Sequence, residues 1–237
     1  MNIEAIVFDV DNTLLDFHKM KLQSTQAGID KMMERGFPIT PDEGKRITTE
    51  VFRNHGWEDP KLFLNIALMA GVTKPATLER YAQIGKVAYR EKQREHLKPY
   101  EGVVETLDAL KKQGIQFAIL SDAPRFKVFD RICDIGLEPY FEDNVVGGEA
   151  DEFKKPHPAA FKAVLECLGR KDASNVLMVG DQPIRDILGA KNYGFSTAWA
   201  KYGYTPSHGE DVNTVKTRAD YTLEKFSDLV RIIRPTG

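Results

Sequence analysis

The stretch that decides the fold is Ile3-Glu4-Ala5-Ile6-Val7-Phe8, a short run of mostly β-branched and aromatic residues that ends abruptly at Asp9. Such a run is typical of a buried strand in a parallel sheet. Directly after it comes Asp9-Val10-Asp11-Asn12-Thr13, in which two carboxylates stand two residues apart. In an extended segment this spacing places both side chains on the same side, where two like charges are costly unless a cation or a shared proton relieves them. Taken alone, the motif also suits a solvated turn.

Four later runs of apolar residues resemble the first and occupy residues 115–120, 144–146, 176–179 and 195–199. From about residue 103 onward these predicted strands alternate with stretches whose apolar residues recur at helical spacing. Alternation of strand and helix is typical of an α/β fold with a mostly parallel sheet. We therefore expect a doubly wound, Rossmann-like parallel sheet.

Residues from about 19 to 98 interrupt this alternation, because they contain no convincing strand. Apolar residues recur there at helical spacing in four successive stretches, which predicts a small helical bundle. We expect an α/β catalytic core of residues 1–16 and 99–237 and an inserted helical cap of residues 17–98. Two adjacent linkers would join the two domains and act as a hinge.

Polar side chains also follow the later predicted strands, at the point where each strand ends. Ser121 and Asp122 follow the second strand, Lys155 comes after the third, and Asp181 follows the fourth. Lys155 precedes a proline that we expect to start a helix, and Asp186 would open the helix after the fourth strand. Each residue taken alone has a simpler explanation, since serine and aspartate often cap helices and lysine usually belongs to a solvated face.

The polar residues that follow the predicted strands are more informative together than singly. In a doubly wound sheet the strand order reverses beside the first strand, and ligands bind at the carboxyl ends of the strands there. Asp9, Ser121, Lys155 and Asp181 would then converge on one crevice. With Asp11 these residues supply three carboxylates, a hydroxyl and an ammonium group. Such a set describes a site for a divalent cation and a phosphoryl group, and hard oxygen ligands favour Mg²⁺ over zinc.

The composition argues against nucleic acid, membranes and cysteine-bound metal as partners. The chain has 33 lysine and arginine residues against 35 aspartate and glutamate residues, so nucleic acid is not an expected partner. No apolar run is long enough to cross a bilayer, and we expect a cytoplasmic protein that binds no membrane. Cys133 and Cys167 lie in helical patterns without metal-binding spacing, which predicts small buried side chains. The sequence does not determine the oligomeric state.

The motifs together resemble those of the haloacid dehalogenase superfamily of hydrolases, which are mostly phosphatases. Residues 9–13 are similar to the first motif of that family, DxDxT, and Ser121 is similar to the second. Lys155 followed by proline is similar to the third motif, and residues 180–186 are similar to the fourth, GDxxxxD. The four motifs occur in the family's order, and the helical insertion resembles the family's all-helical type of cap.

The resemblance implies a role for each matched residue. Asp9 would attack phosphorus to form a phospho-aspartate, and Asp11 would protonate the leaving oxygen and then activate water. Mg²⁺ would be held by Asp9, Asp181 and the backbone carbonyl of Asp11, while Asp186 would order a metal-bound water or Lys155. Lys155 would also offset the charge of the nucleophile. The residues that would contact the substrate in the core are Ser121, Asp122, Thr13 and Lys155.

Functions other than that of a phosphatase are also compatible with parts of this pattern. True dehalogenases of the superfamily have no acid two residues after the nucleophile, so Asp11 favours phosphoryl transfer. A phosphomutase shares the core and the cap type, and the motifs do not separate it from a phosphatase. Outside catalysis, a phospho-accepting receiver-type signalling domain also gathers acidic residues and a lysine, but its acceptor lies on the third strand, which here runs into Gly147-Gly148. A domain that only binds a small ligand would not require Asp11.

The expected enzyme is a Mg²⁺-dependent phosphomonoester hydrolase, and the cap would select its small phosphorylated metabolite. The motifs leave sugar phosphates, phosphoglycolate, glyceraldehyde phosphate, nucleoside monophosphates and pyrophosphate open. Residues 52–60, between the second and third predicted cap helices, contain Gly and Pro as loop markers and offer polar groups from Arg53, His55 and Trp57. Alternatively, Trp57 packs in the cap's own core and Arg53 is solvated.

Overall fold

The chain folds into two compact units in a computed structural model, which describes residues 2–205 and 212–233. One unit consists of Met1–Asp16 and Lys98–Gly237, and the other consists of Phe17–Leu97. The second unit is therefore an insertion between the first strand of the first unit and all of its later elements.

The first unit is built on a sheet of six strands in the order β3-β2-β1-β4-β5-β6. The strands are β1 Ala5–Phe8, β2 Gln116–Leu120, β3 Val145–Val146, β4 Val176–Gly180, β5 Ser196–Ala200 and β6 Tyr221–Leu223. Every neighbouring pair is parallel, and Ala5 of β1 lies opposite Gln116 on one side and opposite Val176 on the other. The doubly wound α/β fold that the alternation of elements predicts is confirmed.

The strand boundaries differ slightly from those expected. β1 begins at Ala5 rather than Ile3, and β5 is displaced by one residue toward the C-terminus. β6 is absent from the sequence prediction. Its three residues form an edge strand in which one side chain alone is buried, and so short a run provides no alternating pattern to recognise.

The second unit is a bundle of four α-helices, as its apolar spacing predicts. They are α1 Phe17–Glu34, α2 Pro41–His55, α3 Leu62–Met69 and α4 Pro75–His96. α2 begins at a capping box, in which Thr40 and Glu43 satisfy each other's backbone amides. Gly28 on α1 and Gly85 on α4 both pack against the Phe63 ring, and a Cβ at either glycine would come within 2.5 Å of that ring. These two glycines are therefore required for the close packing of α1, α3 and α4.

Helices of the first unit lie between the strands, and one more follows the last strand. They are α5 Val103–Lys112, α6 Arg125–Asp134, α7 Glu138–Phe141, α8 Pro158–Cys167, α9 Gly189–Tyr193 and α10 Leu229–Ile232, with a π-helical turn at Pro183–Leu188. α8 starts at Pro158, with His157 as its N-cap, so the expectation that Pro156 starts this helix is wrong. The chain contains a second proline two residues later, and that one has the fixed φ and missing amide suited to the first helical position.

Strand β1 is buried because apolar side chains cover the sheet around it. Val7 belongs to a buried cluster that includes Phe161 of α8 and Met178 of β4. Phe8 contacts the rings of Phe117 and Phe226, each at a centroid distance of 5.8 Å. Full burial of β1 fixes the position of the residue that follows it, because a strand held by its two neighbours and by both layers has little freedom to shift.

Two further observations concern membrane-spanning helices and the two cysteines. No helix among the described residues is long and apolar enough to span a membrane. Both cysteines are free, but Cys133 is exposed and Cys167 is partly exposed, so the expectation of small buried side chains is wrong. The buried face of α6 carries Val128, Arg131 and Ile132, and Cys133 falls one position beyond that face.

Candidate active site

The site lies where strand order reverses around β1. β2 pairs with one side of β1 and β4 pairs with the other, so their carboxyl ends meet at one edge of the sheet. Asp9 follows β1 immediately, Ser121 follows β2, and Asp181 follows β4. The reversal predicted from the doubly wound pattern therefore brings these three residues to the same edge, which is the usual place for a ligand in such a sheet.

The carboxylate of Asp9 is held on both oxygens. Its Oδ1 lies 2.6 Å from Lys155 Nζ, and its Oδ2 accepts a hydrogen bond of 3.2 Å from the Thr13 hydroxyl. The Asp9 backbone amide donates to the Val179 carbonyl at 2.9 Å, which continues the ladder between β1 and β4. Asp9 is 7% exposed, so its carboxylate is both buried and fixed in orientation.

Lys155 connects the third and fourth motifs. Its Nζ lies 2.8 Å from Asp186 Oδ1, and Lys155 is 4% exposed. Burial alone would lower the pKa of Lys155, but the neighbouring carboxylates of Asp186 and Asp9 raise it above its ordinary value. The ammonium group is therefore a permanent positive charge beside Asp9.

Three buried carboxylates form a candidate metal site. Asp9, Asp181 and Asp186 each offer an oxygen that lies within 4.8 Å of the oxygens of the other two. Burial, together with the charges of Asp186 and Asp11, raises the pKa of Asp9 to about 7, against the opposing effect of Lys155. Burial, Asp186 and Asp9 together raise the pKa of Asp181 well above its usual range. Such mutual repulsion is relieved by a bound cation, and an all-oxygen donor set suits Mg²⁺.

Asp186 has two contacts that sequence reasoning treated as alternatives. Its Oδ2 accepts a hydrogen bond of 2.8 Å from the Gln182 amide, which is the capping bond expected at the start of a helix. Its other oxygen faces Lys155. Gly180 makes this approach possible, because a Cβ there would come within 2.4 Å of the Asp186 carboxyl group. A larger residue than glycine at this position of the fourth motif would therefore displace the Asp186 carboxyl group.

Asp122 and Ser121 are engaged with the protein itself. One Asp122 oxygen accepts from the Lys155 amide at 2.8 Å and the other accepts from Arg185 at 2.8 Å. Ser121 Oγ accepts from the Ala123 amide at 3.2 Å. Asp122 thus joins the loop after β2 to the loops that carry the third and fourth motifs, and the substrate contact expected from the sequence stays a prediction.

The sequence did not predict a group of residues at the end of β5 and directly after it, Trp199, Tyr202 and Gly203. Trp199 Nε1 donates to the Asp181 carbonyl at 2.7 Å, and the Tyr202 hydroxyl donates to the Thr13 carbonyl at 2.7 Å. Gly203 packs directly on the loop after β1, because a Cβ there would overlap the Asn12 carbonyl oxygen. This segment therefore braces both the loop after β1 and the Asp181 backbone. Its sequence signal is an aromatic residue near the end of a strand, followed by a tyrosine and a glycine, which is a common pattern in any core.

The cap residues lie in a unit of their own, and their proposed contact with substrate stays a prediction. Arg53 and His55 belong to the last turn of α2 and not to a loop. Trp57 stacks on Phe52 with ring centroids 4.5 Å apart, and it contacts the His18 ring at 4.7 Å. Trp57 therefore packs partly within the cap, although 37% of it is exposed.

Known proteins resemble this chain over nearly its full length. It matches the family model for haloacid dehalogenase-like hydrolases over residues 3–194. It is 29% identical over 231 residues to a glyceraldehyde 3-phosphate phosphatase of Pyrococcus furiosus, a match that covers 98% of this chain and 93% of that protein. It is 30% identical over 246 residues to a phosphoglycolate phosphatase of Vibrio parahaemolyticus, with 98% and 96% covered.

A solved structure shares the fold. The haloacid dehalogenase-type hydrolase YfnB of Bacillus subtilis, solved with bound magnesium, superimposes with a TM-score of 0.69 at 22% identity, and the match covers 98% of this chain and 99% of that one. The strand order, the motifs at the carboxyl ends of β1, β2 and β4, and the family match agree with one another. The chain belongs to the haloacid dehalogenase superfamily of hydrolases.

Proposed function

We propose that this protein is a Mg²⁺-dependent phosphatase that hydrolyses a small phosphorylated metabolite through a phospho-aspartate at Asp9. The observation that carries the proposal is the buried cluster of Asp9, Asp181 and Asp186, in which the ammonium group of Lys155 pairs with Asp9 and Asp186. A buried carboxylate whose oxygens are both held, with a permanent cation beside it, suits a nucleophile better than a structural aspartate.

The first chemical step forms a bond between an Asp9 oxygen and phosphorus and breaks the bond from phosphorus to the leaving oxygen. Asp11 gives its proton to that oxygen, which departs as an alcohol. In the second step Asp11 takes a proton from water, the water oxygen attacks phosphorus, and the bond to Asp9 breaks. Inorganic phosphate leaves, and both aspartates return to their starting states.

The residues around Asp9 prepare it for this chemistry. Thr13 and Lys155 fix its carboxylate, and Lys155 offsets negative charge as the anionic phosphoryl group approaches. Asp9, Asp181 and the Asp11 backbone carbonyl would hold Mg²⁺, and Asp186 would help to order a bound water or Lys155. The bound ion would supply positive charge that lets two anions, the nucleophile and the phosphoryl group, come together. Ser121 would bind a phosphoryl oxygen at the end of β2.

The size of the substrate is inferred from the relatives. The relatives named above are phosphatases of glyceraldehyde 3-phosphate and of phosphoglycolate, both small anionic phosphate esters. We propose a substrate of this class, selected by cap residues that include Arg53, His55 and Trp57. A location in the cytoplasm also stays a prediction.

A phosphomutase of the same superfamily is the remaining alternative, because it would use the same core residues. A receiver-type signalling domain is disfavoured by position: the candidate nucleophile follows β1, while β3 is followed by Gly147 and Gly148. Product analysis separates the two enzymes, since a phosphatase releases inorganic phosphate and a mutase releases an isomer of its substrate.

Phosphate release from p-nitrophenyl phosphate, followed by a panel of metabolites ranked by kcat/KM, tests the proposal. We expect activity that requires Mg²⁺ and is lost in excess EDTA. Asp9→Asn should lower kcat by about a thousandfold or more, as removal of a covalent nucleophile does. Asp172→Asn is the matched control, because this exposed aspartate caps a turn before β4, at the far end of the strand. Equal activity of wild type and Asp9→Asn would refute the assignment.

A further inference from the structure

One buried cation has no place in the mechanism above. Arg131 lies on α6 and is 4% exposed, and its guanidinium group forms an ion pair with Asp11 Oδ2. The neighbouring residues on the buried face of α6 are Val128 and Ile132, both fully buried and apolar. A leucine or isoleucine would satisfy packing at this position, whereas a buried charge is costly unless it is paired. The arginine is therefore matched to Asp11 and not to the core.

The backbone around Asp11 is already fixed. The Leu14 amide donates to the Val10 carbonyl at 2.9 Å, the Asn12 amide donates to the Leu15 carbonyl at 2.7 Å, and Asn12 adopts a left-handed φ of 60°. This tight turn leaves the side-chain torsions of Asp11 as its main freedom. A planar guanidinium group restricts the side-chain torsions of a bound carboxylate, because its N–H groups point in fixed directions.

We propose that Arg131 is a positioning residue that sets the orientation of the Asp11 carboxyl group for proton transfer to the leaving oxygen. The inference rests on the proposed function, in which Asp11 is the acid and base. Arg131 acts through Asp11, and it therefore affects the step in which the leaving group departs.

This role has a consequence that general structural support lacks. Proton donation matters greatly when the leaving group is a poorly stabilised alkoxide, and it matters little for p-nitrophenolate, which is stable without a proton. Loss of the correct Asp11 orientation should therefore slow alkyl phosphates far more than p-nitrophenyl phosphate. Damage to the phosphoryl site or to the fold would slow both substrates alike.

The experiment compares Arg131→Met, Arg131→Lys, Asp11→Asn and the double variant Arg131→Met/Asp11→Asn. Each is assayed with p-nitrophenyl phosphate and with the alkyl phosphate that the wild type hydrolyses best. We expect Arg131→Met to lose at least about tenfold more kcat on the alkyl phosphate than on p-nitrophenyl phosphate, within the range of general acid catalysis. The double variant should lose no more than Asp11→Asn alone, since both changes remove one function.

Arg131→Lys keeps the charge without the planar fork, so it should show a smaller loss with the same dependence on leaving group. This variant also decides the question if Arg131→Met does not fold, which thermal unfolding would reveal. Arg170→Met is the matched control: Arg170 pairs with Glu4, which precedes β1, and its loss should leave the ratio of the two substrates unchanged.

Equal losses on both substrates, or a double variant whose losses multiply, would overturn the proposal and assign Arg131 to the phosphoryl site or the fold. Failure of the proposed function is distinguishable. In that case the wild type would release no phosphate from either substrate, or Asp9→Asn would keep full activity.

Discussion

In the metal-free protein, the free energy of unfolding of Asp9→Asn should increase relative to that of the wild type as pH rises. The same replacement should remove activity. The reason for the stability change is that burial, with Asp186 and Asp11, raises the pKa of Asp9 from its ordinary value of 3.8 to about 7 although Lys155 opposes the change. Below pH 3.8 Asp9 is protonated in both the folded and the unfolded chain. Between 3.8 and about 7 the unfolded chain releases the proton and the folded chain keeps it, so the free energy of unfolding falls as pH rises.

The magnitude follows from the width of that window. Each pH unit contributes about 1.4 kcal/mol, so between about pH 5 and pH 8 the wild type should lose about 2 to 3 kcal/mol through this carboxyl group. Asparagine carries no proton to release. The stability of Asp9→Asn relative to wild type should therefore be about 2 kcal/mol higher near pH 8 than near pH 5, whatever fixed penalty the lost Lys155 contact adds at both values.

Urea unfolding in EDTA at the two pH values measures this difference. Asp220→Asn is the control: burial alone would raise the pKa of Asp220, but hydrogen bonds from Lys191 and Thr197 hold it below its ordinary value. Asp220 is ionised throughout the window, so its replacement should change stability equally at both pH values. A relative stability of Asp9→Asn that is the same or lower near pH 8 would refute the electrostatic account of the site.

Three further predictions concern the metal and the cap. Asp181→Ala should raise the Mg²⁺ concentration needed for half-maximal activity, and Ca²⁺ should support little turnover because its looser coordination misplaces the nucleophile; full activity in EDTA would contradict this. The Mg²⁺ affinity of the wild type, measured by titration calorimetry, should fall as pH drops below about 7, since protons compete for Asp9 and Asp181; an affinity independent of pH would count against the cluster as the metal site. Arg53→Ala should lower kcat/KM strongly for the best metabolite and little for p-nitrophenyl phosphate. Arg46→Ala, on the same helix and exposed, is its control, and equal losses on both substrates would exclude a role in specificity.

The main elements of the fold could be predicted from the sequence, because each of them shows in a local pattern of apolar and polar residues. An apolar run followed by an abrupt carboxylate predicts β1 and Asp9 together, and helical spacing predicts the inserted bundle. The same local patterns predict which residues end strands, and strand order then brings Asp9, Ser121 and Asp181 to one edge. A short edge strand such as β6 escapes, because three residues carry no periodicity.

Contacts between distant segments could not be predicted in this way. Arg131 and Asp11 lie 120 residues apart, and Tyr202 and Thr13 lie 189 apart. An arginine in a helical pattern usually belongs to a solvated face, and a tyrosine after a strand usually belongs to a core. Only the fold shows that Arg131 pairs with Asp11 and that Tyr202 holds the loop after β1.

Detection of an aspartyl phosphate on Asp9 tests the central claim most directly. The enzyme is mixed with Mg²⁺ and its best substrate, quenched in acid during the steady state, digested, and analysed by mass spectrometry. The account predicts one phosphoryl group on the peptide that contains Asp9, removed by hydroxylamine and absent from Asp9→Asn. Turnover without a phosphorylated peptide, even for Asp11→Asn, in which hydrolysis of the intermediate should be slowed, would contradict it.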